Sequence, residues 1–544
     1  MKFRLLSFFL FVGAVCASAQ SSESVPRPKL VVGIVVDQMR WDFLYRFYSL
    51  YPSDGGFKRM ITQGFSCDNT LIPYTPTVTA AGHASIYTGG VPATNGIVGN
   101  IWYDNVLNTT MYCVEDDTTK TVGASDEAGK MSPRNLLATT IGDELRIATN
   151  FSSKVIGISI KDRGAILPAG RSANAAYWYD AANGDFISSN YYMNELPNWV
   201  KDFNKRNLPD SFFKLNWKLS LPSDVYQQYC GDDEQPYERR PFGVDQKHFP
   251  YTLSSNVGSN FGAIAVTPYG NELLAALAKA TIINEDLGKN KGTDLLAVSF
   301  SAPDYIGHTF GPESWEQMDD FIKLDKVIGD LLSFLDAQVG KGNYTVFLTA
   351  DHGTANSPGF QKIHKLPGGI FREDAFPNTL NQLLNVKFHS DKIVLGIFEY
   401  HVVLNHQLID SLNLDEKAIT KTIVDYVIQR PEIAQAFPAN DINSVTVSNY
   451  QKQMFQNGHF PGRSGDIQLV LKPGFVDGDG FGTTHGLWNP YDAHIPLLLY
   501  GWGINQGKSN REIHMSDIAP TVCALLHIQM PSSSVGQVIT EALK

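Results

Sequence analysis

Six side chains that could bind a metal ion follow short strand-like segments or stand in a glycine-rich loop. Three are carboxylates and three are imidazoles: Asp37, Asp304, His308, Asp351, His352 and His485. A single aspartate after a strand is usually a turn former or a helix cap. A mixed set of carboxylate and imidazole ligands is instead typical of divalent metal sites. The set therefore predicts two divalent ions, and we expect two Zn²⁺ per chain.

A candidate nucleophile lies in the stretch YTPTVTAAGHASIYTGGVPATNGIVGN, Tyr74 to Asn100, which is rich in Thr, Ala and Gly. Thr75, Thr77 and Thr79 precede what reads as a short helix. A hydroxyl at a helix N-terminus meets free N–H groups and the positive end of the helix dipole, which favour an alkoxide and a bound phosphate. Two metals roughly 3.5–4 Å apart would hold the attacking and leaving oxygens of a phosphoryl transfer. The spacing equally allows the threonines to do no more than cap the helix.

The elements that must position these residues form an α/β pattern. Five apolar runs predict strands that are buried on both faces of a parallel sheet: LVVGIVV (30–36), KVIGISI (154–160), DLLAVSFS (294–301), YTVFLTA (344–350) and IPLLLYG (495–501). Helical patterns lie between them, for example at 133–148 and 314–338. We expect an α/β fold with a mostly parallel central sheet flanked by helices, and a site at the carboxyl ends of the strands. Two segments, about 170–290 and about 385–465, lack this alternation of strands and helices. We predict that they are insertions that cap one edge of the sheet, and that residues 20–544 form a single domain.

Composition and the N-terminus indicate where the protein acts. The formal net charge of −11 and the absence of any basic run argue against nucleic acid as a partner. The first residues, MKFRLLSFFLFVGAVCASAQ, predict a signal peptide (1–19) that is cleaved after Ala19, with a lipoprotein signal at Cys16 as the alternative. No later apolar run approaches the ~18 residues that span a membrane. We therefore expect an exported protein, periplasmic or secreted, without an integral membrane segment in the mature chain. Disulfide pairing stays open among Cys67, Cys113, Cys230 and Cys523.

Four motifs together resemble the alkaline phosphatase superfamily: TVTAAGHASIYTGGVPATNGIVGN, D-x-x-x-H at 304–308, ADHG at 350–353 and THG at 484–486. The resemblance is closest to the branch with a threonine nucleophile, which includes the nucleotide pyrophosphatase/phosphodiesterases, and there to the PafA-like, phosphate-irrepressible alkaline phosphatases. It implies that Thr79 is the nucleophile and that Asn100 contacts a phosphoryl oxygen. It also implies how the metals are held: one Zn²⁺ by Asp304, His308 and His485, the other by Asp37, Asp351 and His352.

The segment ISIKDRGAILPAG (158–170) bears on the substrate. We expect Lys161 and Arg163 to lie on one side of an extended segment. In PafA-like enzymes such a pair binds the non-bridging oxygens of a phosphate monoester, so the resemblance implies that role here. A charge count agrees, because two Zn²⁺, three aspartates and a Thr79 alkoxide sum to zero, which leaves two cations for a monoester dianion.

These features predict a phosphomonoesterase that hydrolyses small-molecule phosphate monoesters through a phosphothreonine intermediate and acts as a monomer. A phosphodiesterase or nucleotide pyrophosphatase on the same scaffold is the alternative, and it would replace the Lys/Arg pair with an apolar or base-stacking wall. A sulfatase is excluded, because no cysteine of the chain is followed by P-x-R. A binding protein on an inactive enzyme scaffold is disfavoured, since every position of the motifs is filled.

Overall fold

The computed structural model describes residues 25–544, so the predicted signal peptide (1–19) lies outside the described residues. The strands are β1 Leu30–Val36, β2 Phe65–Cys67, β3 Thr70–Leu71, β4 Ile101–Asp104, β5 Thr109–Tyr112, β6 Thr121–Val122, β7 Val155–Ser159, β8 Ala175–Asp180, β9 Asp185–Ser189, β10 Asn216–Trp217, β11 Tyr251–Thr252, β12 Asp294–Phe300, β13 Tyr344–Thr349, β14 Gly369–Phe371, β15 Val394–Phe398, β16 His401–Leu404, β17 Ile433–Pro438, β18 Ile467–Leu471, β19 Phe475–Asp477, β20 His494–Ile495, β21 Leu497–Gly501, β22 Gly507–Ser509 and β23 Ile513–His514.

The α-helices alternate with many of these strands. They are α1 Asp42–Arg46, α2 Gly56–Gln63, α3 Thr79–Thr88, α4 Pro92–Asn95, α5 Ile141–Ala148, α6 Asp162–Ala169, α7 Asn198–Asn204, α8 Leu208–Phe213, α9 Ser223–Cys230, α10 Tyr269–Asn284, α11 Ala302–Phe310, α12 Trp315–Leu335, α13 Pro358–Ile363, α14 Phe376–Phe388, α15 His406–Ser411, α16 Glu416–Val427, α17 Asn449–Gly458, α18 Pro490–Ala493 and α19 Ile518–Leu526. None of the helices between residues 25 and 544 combines the length and apolar character that a membrane crossing requires.

A ten-stranded sheet forms the centre of the molecule, in the order β22-β2-β21-β13-β1-β12-β7-β8-β9-β6. Its middle five strands, β13 to β8, are parallel to one another, whereas β21, β9 and β6 join antiparallel towards the edges. Every residue of β1, β7, β12 and β13 is buried, as expected for strands covered by helices on both faces. The predicted α/β fold with a mostly parallel sheet is therefore confirmed.

Element bounds follow the sequence patterns with two informative exceptions. The first four predicted strands begin and end within one residue of the observed ones, and the fifth is divided by Pro496 into β20 and β21. The helix predicted at 133–148 is wrong in its first half, since α5 begins only at Ile141. Its start is fixed by a capping box in which Thr140 accepts a hydrogen bond from the backbone N–H of Asp143.

The two segments that were predicted as insertions differ in structure. The first, about 170–290, supplies β8 and β9 to the central sheet and α10 to the layer that packs on β12 and β7. The second, about 385–465, contributes to a separate four-stranded antiparallel sheet, β15-β16-β18-β17. This sheet forms its own apolar cluster with α14 and α16. We call residues 376–471, from α14 to β18, the cap. The division of the chain into one domain with insertions stays a prediction.

Candidate active site

Four neighbouring strands of the parallel sheet deliver the predicted site residues to one edge. Asp37 directly follows β1, and Asp351 follows β13 after a single alanine. Asp304 stands in the first turn of α11, which begins two residues after β12, and Lys161 precedes α6, two residues after β7. Because parallel strands end on the same side, these four groups converge, as the general rule for open α/β sheets requires.

The metal-binding candidates lie in two overlapping groups. The possible donor atoms of Asp37, Asp351 and His352 lie within 4.8 Å of one another, and so do those of Asp304, His352 and His485. His308 approaches the second group, with Nε2 3.1 Å from Asp304 Oδ1. The structure thus brings all six predicted residues together. How they divide between two ions stays a prediction, since His352 lies within reach of both groups.

Each of the three imidazoles is oriented by a backbone carbonyl. The Nδ1–O distances are 3.0 Å from His352 to Gly353, 2.8 Å from His485 to Thr77 and 2.8 Å from His308 to Thr483. A carbonyl oxygen only accepts, so Nδ1 carries a proton in each ring, which leaves Nε2 as the ring atom that could bind a metal. In each case Nε2 faces an aspartate, at 3.1–3.7 Å. This arrangement is typical of metal-ligating histidines.

The electrostatics of the site also favour bound cations. Burial lowers the pKa of His352, and burial together with the neighbouring imidazoles lowers that of His485 well below its ordinary value, so both rings are neutral, as ligands must be. Burial raises the pKa of Asp37 well above its usual range, and the adjacent Asp304 and Asp351 carboxylates raise it further. Asp37 Oδ1 is buried and accepts no hydrogen bond. An unsatisfied carboxylate oxygen beside two more carboxylates is the donor set that a divalent ion fits.

Lys161 and Arg163 occupy different structural positions. The Lys161 ammonium lies between two carboxylates, 2.7 Å from Asp37 Oδ2 and 2.5 Å from Asp304 Oδ2, and is buried. The expectation of an extended segment is wrong for Arg163, which stands in the first turn of α6. Asp162 begins that helix, where an acidic residue is favoured by the helix dipole. Arg163 Nη1 donates to the hydroxyl of Tyr112 at 2.9 Å.

Thr79 is the first residue of α3, and its hydroxyl faces the metal-binding candidates. Thr79 Oγ1 lies 3.4 Å from His352 Nε2 and 3.4 Å from Lys161 Nζ. None of the three candidate threonines caps the helix: the N-cap is Val78, without a side-chain hydrogen bond, and Thr75 and Thr77 donate to backbone carbonyls of a distant loop. The alternative that the threonines serve only as caps is therefore wrong.

The small residues of α3 allow the helix to approach the strand ends. All ten residues of α3 are buried. A Cβ at Gly82 would lie 2.6 Å from the Cβ of Asp351 and would collide with its backbone oxygen, so only glycine permits this contact. On the other side of the helix start, Asn100 Oδ1 accepts a hydrogen bond from Ala80 N at 3.0 Å. The side-chain nitrogen of Asn100, Nδ2, donates no hydrogen bond within the described part of the chain and is available to a ligand.

Sequence reasoning missed two residues that hold these groups in place. Gln38 directly follows Asp37; its backbone N–H donates to Asp351 Oδ1 at 3.2 Å and its side-chain amide donates to Asp304 Oδ1 at 2.8 Å. His83 lies one turn after Thr79, with Nδ1 2.9 Å from the Thr79 carbonyl and 3.2 Å from Asp351 Oδ2. The only available signal was their position beside a candidate residue, which many structural residues share.

Comparison with known proteins identifies the family. The sequence profile of the type I phosphodiesterase/nucleotide pyrophosphatase family matches residues 31–491, most of the chain. The chain belongs to this family. The alkaline phosphatase PhoV of Synechococcus elongatus is 47% identical over the whole of both chains. The alkaline phosphatase PafA of Elizabethkingia meningoseptica is 45% identical over 96% of each chain.

Solved structures agree with this assignment. The crystal structure of wild-type PafA superposes with a TM-score of 0.93 at 44% identity and covers 96% of this chain and all of its own. A PafA variant with substitutions at a threonine, an asparagine, a lysine and an arginine superposes equally well. The enzyme is therefore an alkaline phosphatase of the PafA-like group, and its phosphomonoesterase activity follows from that relationship.

Proposed function

We propose that the enzyme hydrolyses phosphate monoesters in two steps, with Thr79 as the nucleophile and two Zn²⁺ per chain. The observation that carries this proposal is the position of Thr79 Oγ1, which lies 3.4 Å from both His352 Nε2 and Lys161 Nζ at the start of a buried helix. A hydroxyl placed between a metal-ligand candidate and a cation, at the positive end of a helix dipole, is set for attack on a phosphorus atom.

The six carboxylate and imidazole residues would hold the metals. We assign Asp37, Asp351 and His352 to the ion nearer Thr79, and assign Asp304, His308 and His485 to the other. The orientation of Nδ1 in all three histidines and the unsatisfied Asp37 oxygen support this assignment. Two Zn²⁺ in such a site would supply Lewis-acid stabilisation of the attacking and leaving oxygens.

The chain's own residues supply the remaining chemistry. Thr79 Oγ forms a bond to phosphorus as the ester oxygen leaves, and a water molecule then attacks the phosphothreonine, which releases inorganic phosphate and restores the hydroxyl. Thr79 is the first residue of α3, so the positive end of the helix dipole would favour the negative charge of the transferred group. The side-chain amide of Asn100, together with Lys161 and Arg163, would donate to its non-bridging oxygens.

Monoesters rather than diesters are the proposed substrates because of the charge at the site. A monoester dianion carries one negative charge more than a diester and makes better use of two cationic side chains. The substituted residues of the PafA variant are of the same four types, in the same chain order, as Thr79, Asn100, Lys161 and Arg163. That correspondence supports the four roles proposed here.

The first test compares a monoester with its diester. We would measure kcat/KM of zinc-loaded enzyme for an aryl phosphate monoester and the matching aryl methyl diester, with a chelated control. We expect a monoester preference of at least about 10²-fold that falls on replacement of Arg163 by alanine, because one preorganised donor contributes roughly 10²–10³ in rate. A diester preference would favour the phosphodiesterase alternative, which the name of the matched family keeps open.

The second test separates the nucleophile from the metal site. Thr79→Ala should lower kcat/KM by roughly 10⁴-fold or more while zinc content and thermal stability are retained. Thr79→Ser, which keeps a hydroxyl, should retain much of the activity and permit isolation of a phosphoserine after rapid acid quench. Turnover by Thr79→Ala within tenfold of wild type would disprove the nucleophile assignment.

We also propose that the chain is exported, with the mature protein beginning at Gln20 and acting as a monomer. Support comes from the signal-like sequence of residues 1–19. N-terminal sequencing of protein from a periplasmic or culture fraction should give Gln20, and light scattering should give the mass of one chain. A lipid-modified Cys16 in a membrane fraction would replace this proposal with the lipoprotein alternative.

A further inference from the structure

The cap reaches the active site through one tight turn. β15 and β16 pair antiparallel up to Phe398 and His401, so Glu399 and Tyr400 alone form the turn between them. Both have positive φ, 50° and 64°. Two-residue hairpin turns of this kind normally contain Asn and Gly. A bulky residue with positive φ is strained and persists where the surroundings hold it, often at functional sites.

Glu399 makes a specific contact with the residue proposed to bind phosphate. Its Oε1 accepts a hydrogen bond from the backbone N–H of Asn100 at 3.0 Å. The packing is tight, because a Cβ at Gly99 would lie 2.8 Å from Glu399 Cγ. Burial raises the pKa of Glu399 to about 7. Near neutral pH the side chain is therefore partly protonated, and a neutral side chain with an acceptor oxygen resembles that protonated form. The contact joins residues 299 positions apart in the chain.

Asn100 is thus held at both ends. Glu399 fixes its backbone, and Ala80 N at the start of α3 donates to its side-chain Oδ1 at 3.0 Å. With Oδ1 occupied, the amide nitrogen is the end of the side chain that can face a ligand. Since Ala80 directly follows Thr79, the turn of the cap and the nucleophile are linked through a single side chain.

The other residue of the turn supports the same placement from a second side. Tyr400 is buried, and its ring lies 3.1 Å from the Cβ position of Gly486, which follows His485. The turn is therefore wedged between the loop that carries Asn100 and the loop that carries His485. A residue at this point can transmit the position of the cap to the site.

We propose that Glu399 is a positioning residue for phosphoryl transfer: by fixing the backbone of Asn100, it preorganises the Asn100 amide for a phosphoryl oxygen. This inference rests on the proposed role of Asn100. It also makes the cap a part of the catalytic apparatus rather than a separate cover. A donor that is displaced by about 1 Å can lose about 10²-fold in rate, because such donors act through preorganisation.

The test is a double-mutant cycle between Glu399 and Asn100. We expect Glu399→Ala to lower kcat/KM for an aryl phosphate monoester about 10–100-fold, and Glu399→Gln, which retains an acceptor, to stay within about threefold of wild type. In an Asn100→Ala background the same Glu399→Ala change should cost less than about twofold, because the group that it positions is gone. Zinc content and melting temperature are measured for every variant.

Controls make each outcome decisive. Glu432→Ala removes another buried carboxylate of the cap, which pairs with Arg430, and should leave kcat/KM unchanged. If Glu399→Ala does not fold, Glu399→Asp, which withdraws the carboxylate by one methylene, takes its place with a smaller loss that Asn100→Ala again removes. A full Glu399 effect in the Asn100→Ala background, or no effect in wild type, would overturn the positioning role. No effect of Asn100→Ala itself would instead refute the proposed function of Asn100.

Discussion

Gln38 offers a direct test of how the metal site is held together. Its side-chain amide donates to Asp304 Oδ1 at 2.8 Å, and both residues are buried. A hydrogen bond to a charged group contributes about 1.5–3 kcal/mol, and 1.4 kcal/mol corresponds to a factor of ten. Gln38→Leu removes this donor with little change of volume. It should therefore weaken binding of the Zn²⁺ that Asp304 is proposed to hold by about 10–100-fold, the range expected for a residue that orients a metal ligand.

The assay is a competition for zinc. Wild type and Gln38→Leu are titrated with a chelator of known affinity, and zinc content and activity are followed together. Gln361→Leu serves as the matched control, because Gln361 is buried and donates a similar 2.8 Å hydrogen bond to a backbone carbonyl, that of Asn356. Equal zinc affinity of Gln38→Leu and wild type, within twofold and with an intact fold, would refute the claim that Gln38 orients Asp304.

Three further predictions concern the same site and the cap. Gly82→Ala places a methyl group about 1 Å too close to Asp351, since ordinary contacts are 3.4–4 Å, and should lower kcat/KM about 10²-fold. Tyr112→Phe removes a hydrogen bond to Arg163 and should lower monoester kcat/KM about tenfold with little effect on diesters. His406→Gln should lower the melting temperature by about 1–2 °C at pH 6 but not at pH 10, measured by calorimetry.

The sign of the last effect follows from the pKa. A hydrogen bond to Asp466 is the largest cause that raises the pKa of His406 to about 9. The stabilisation is therefore complete below the ordinary pKa of about 6.5 and is lost as the pH rises through 9. An equal loss at both pH values would contradict this account. Gly262→Ala is the control for Gly82→Ala, because a Cβ at Gly262 would meet only ordinary contacts. For Tyr112→Phe, an equal loss of kcat/KM on monoesters and diesters would show that Tyr112 does not act through Arg163.

Local sequence patterns predicted the scaffold and most of the site, because the strands and the residues that follow them lie in short continuous segments. β1 is a continuous apolar run, and Asp37 follows it directly, so strand and ligand could be read together. The position of Arg163 was misjudged because K-D-R after a strand fits either an extended segment or the first turn of a helix. No sequence pattern indicated Glu399, since its role depends on a contact with Asn100 that only the folded cap creates.

The chain order of the site has a consequence for synthesis of the protein. Asp37 and His485 lie near opposite ends of the chain, and the whole cap is inserted between His352 and His485. A growing chain therefore cannot close the metal site until the cap has been made, and the contact from Glu399 to Asn100 can form at that stage. Contacts between such distant segments form slowly. Phosphatase activity should thus appear late during refolding, after the cap has folded and the two ends of the chain have formed their contacts at the metal site.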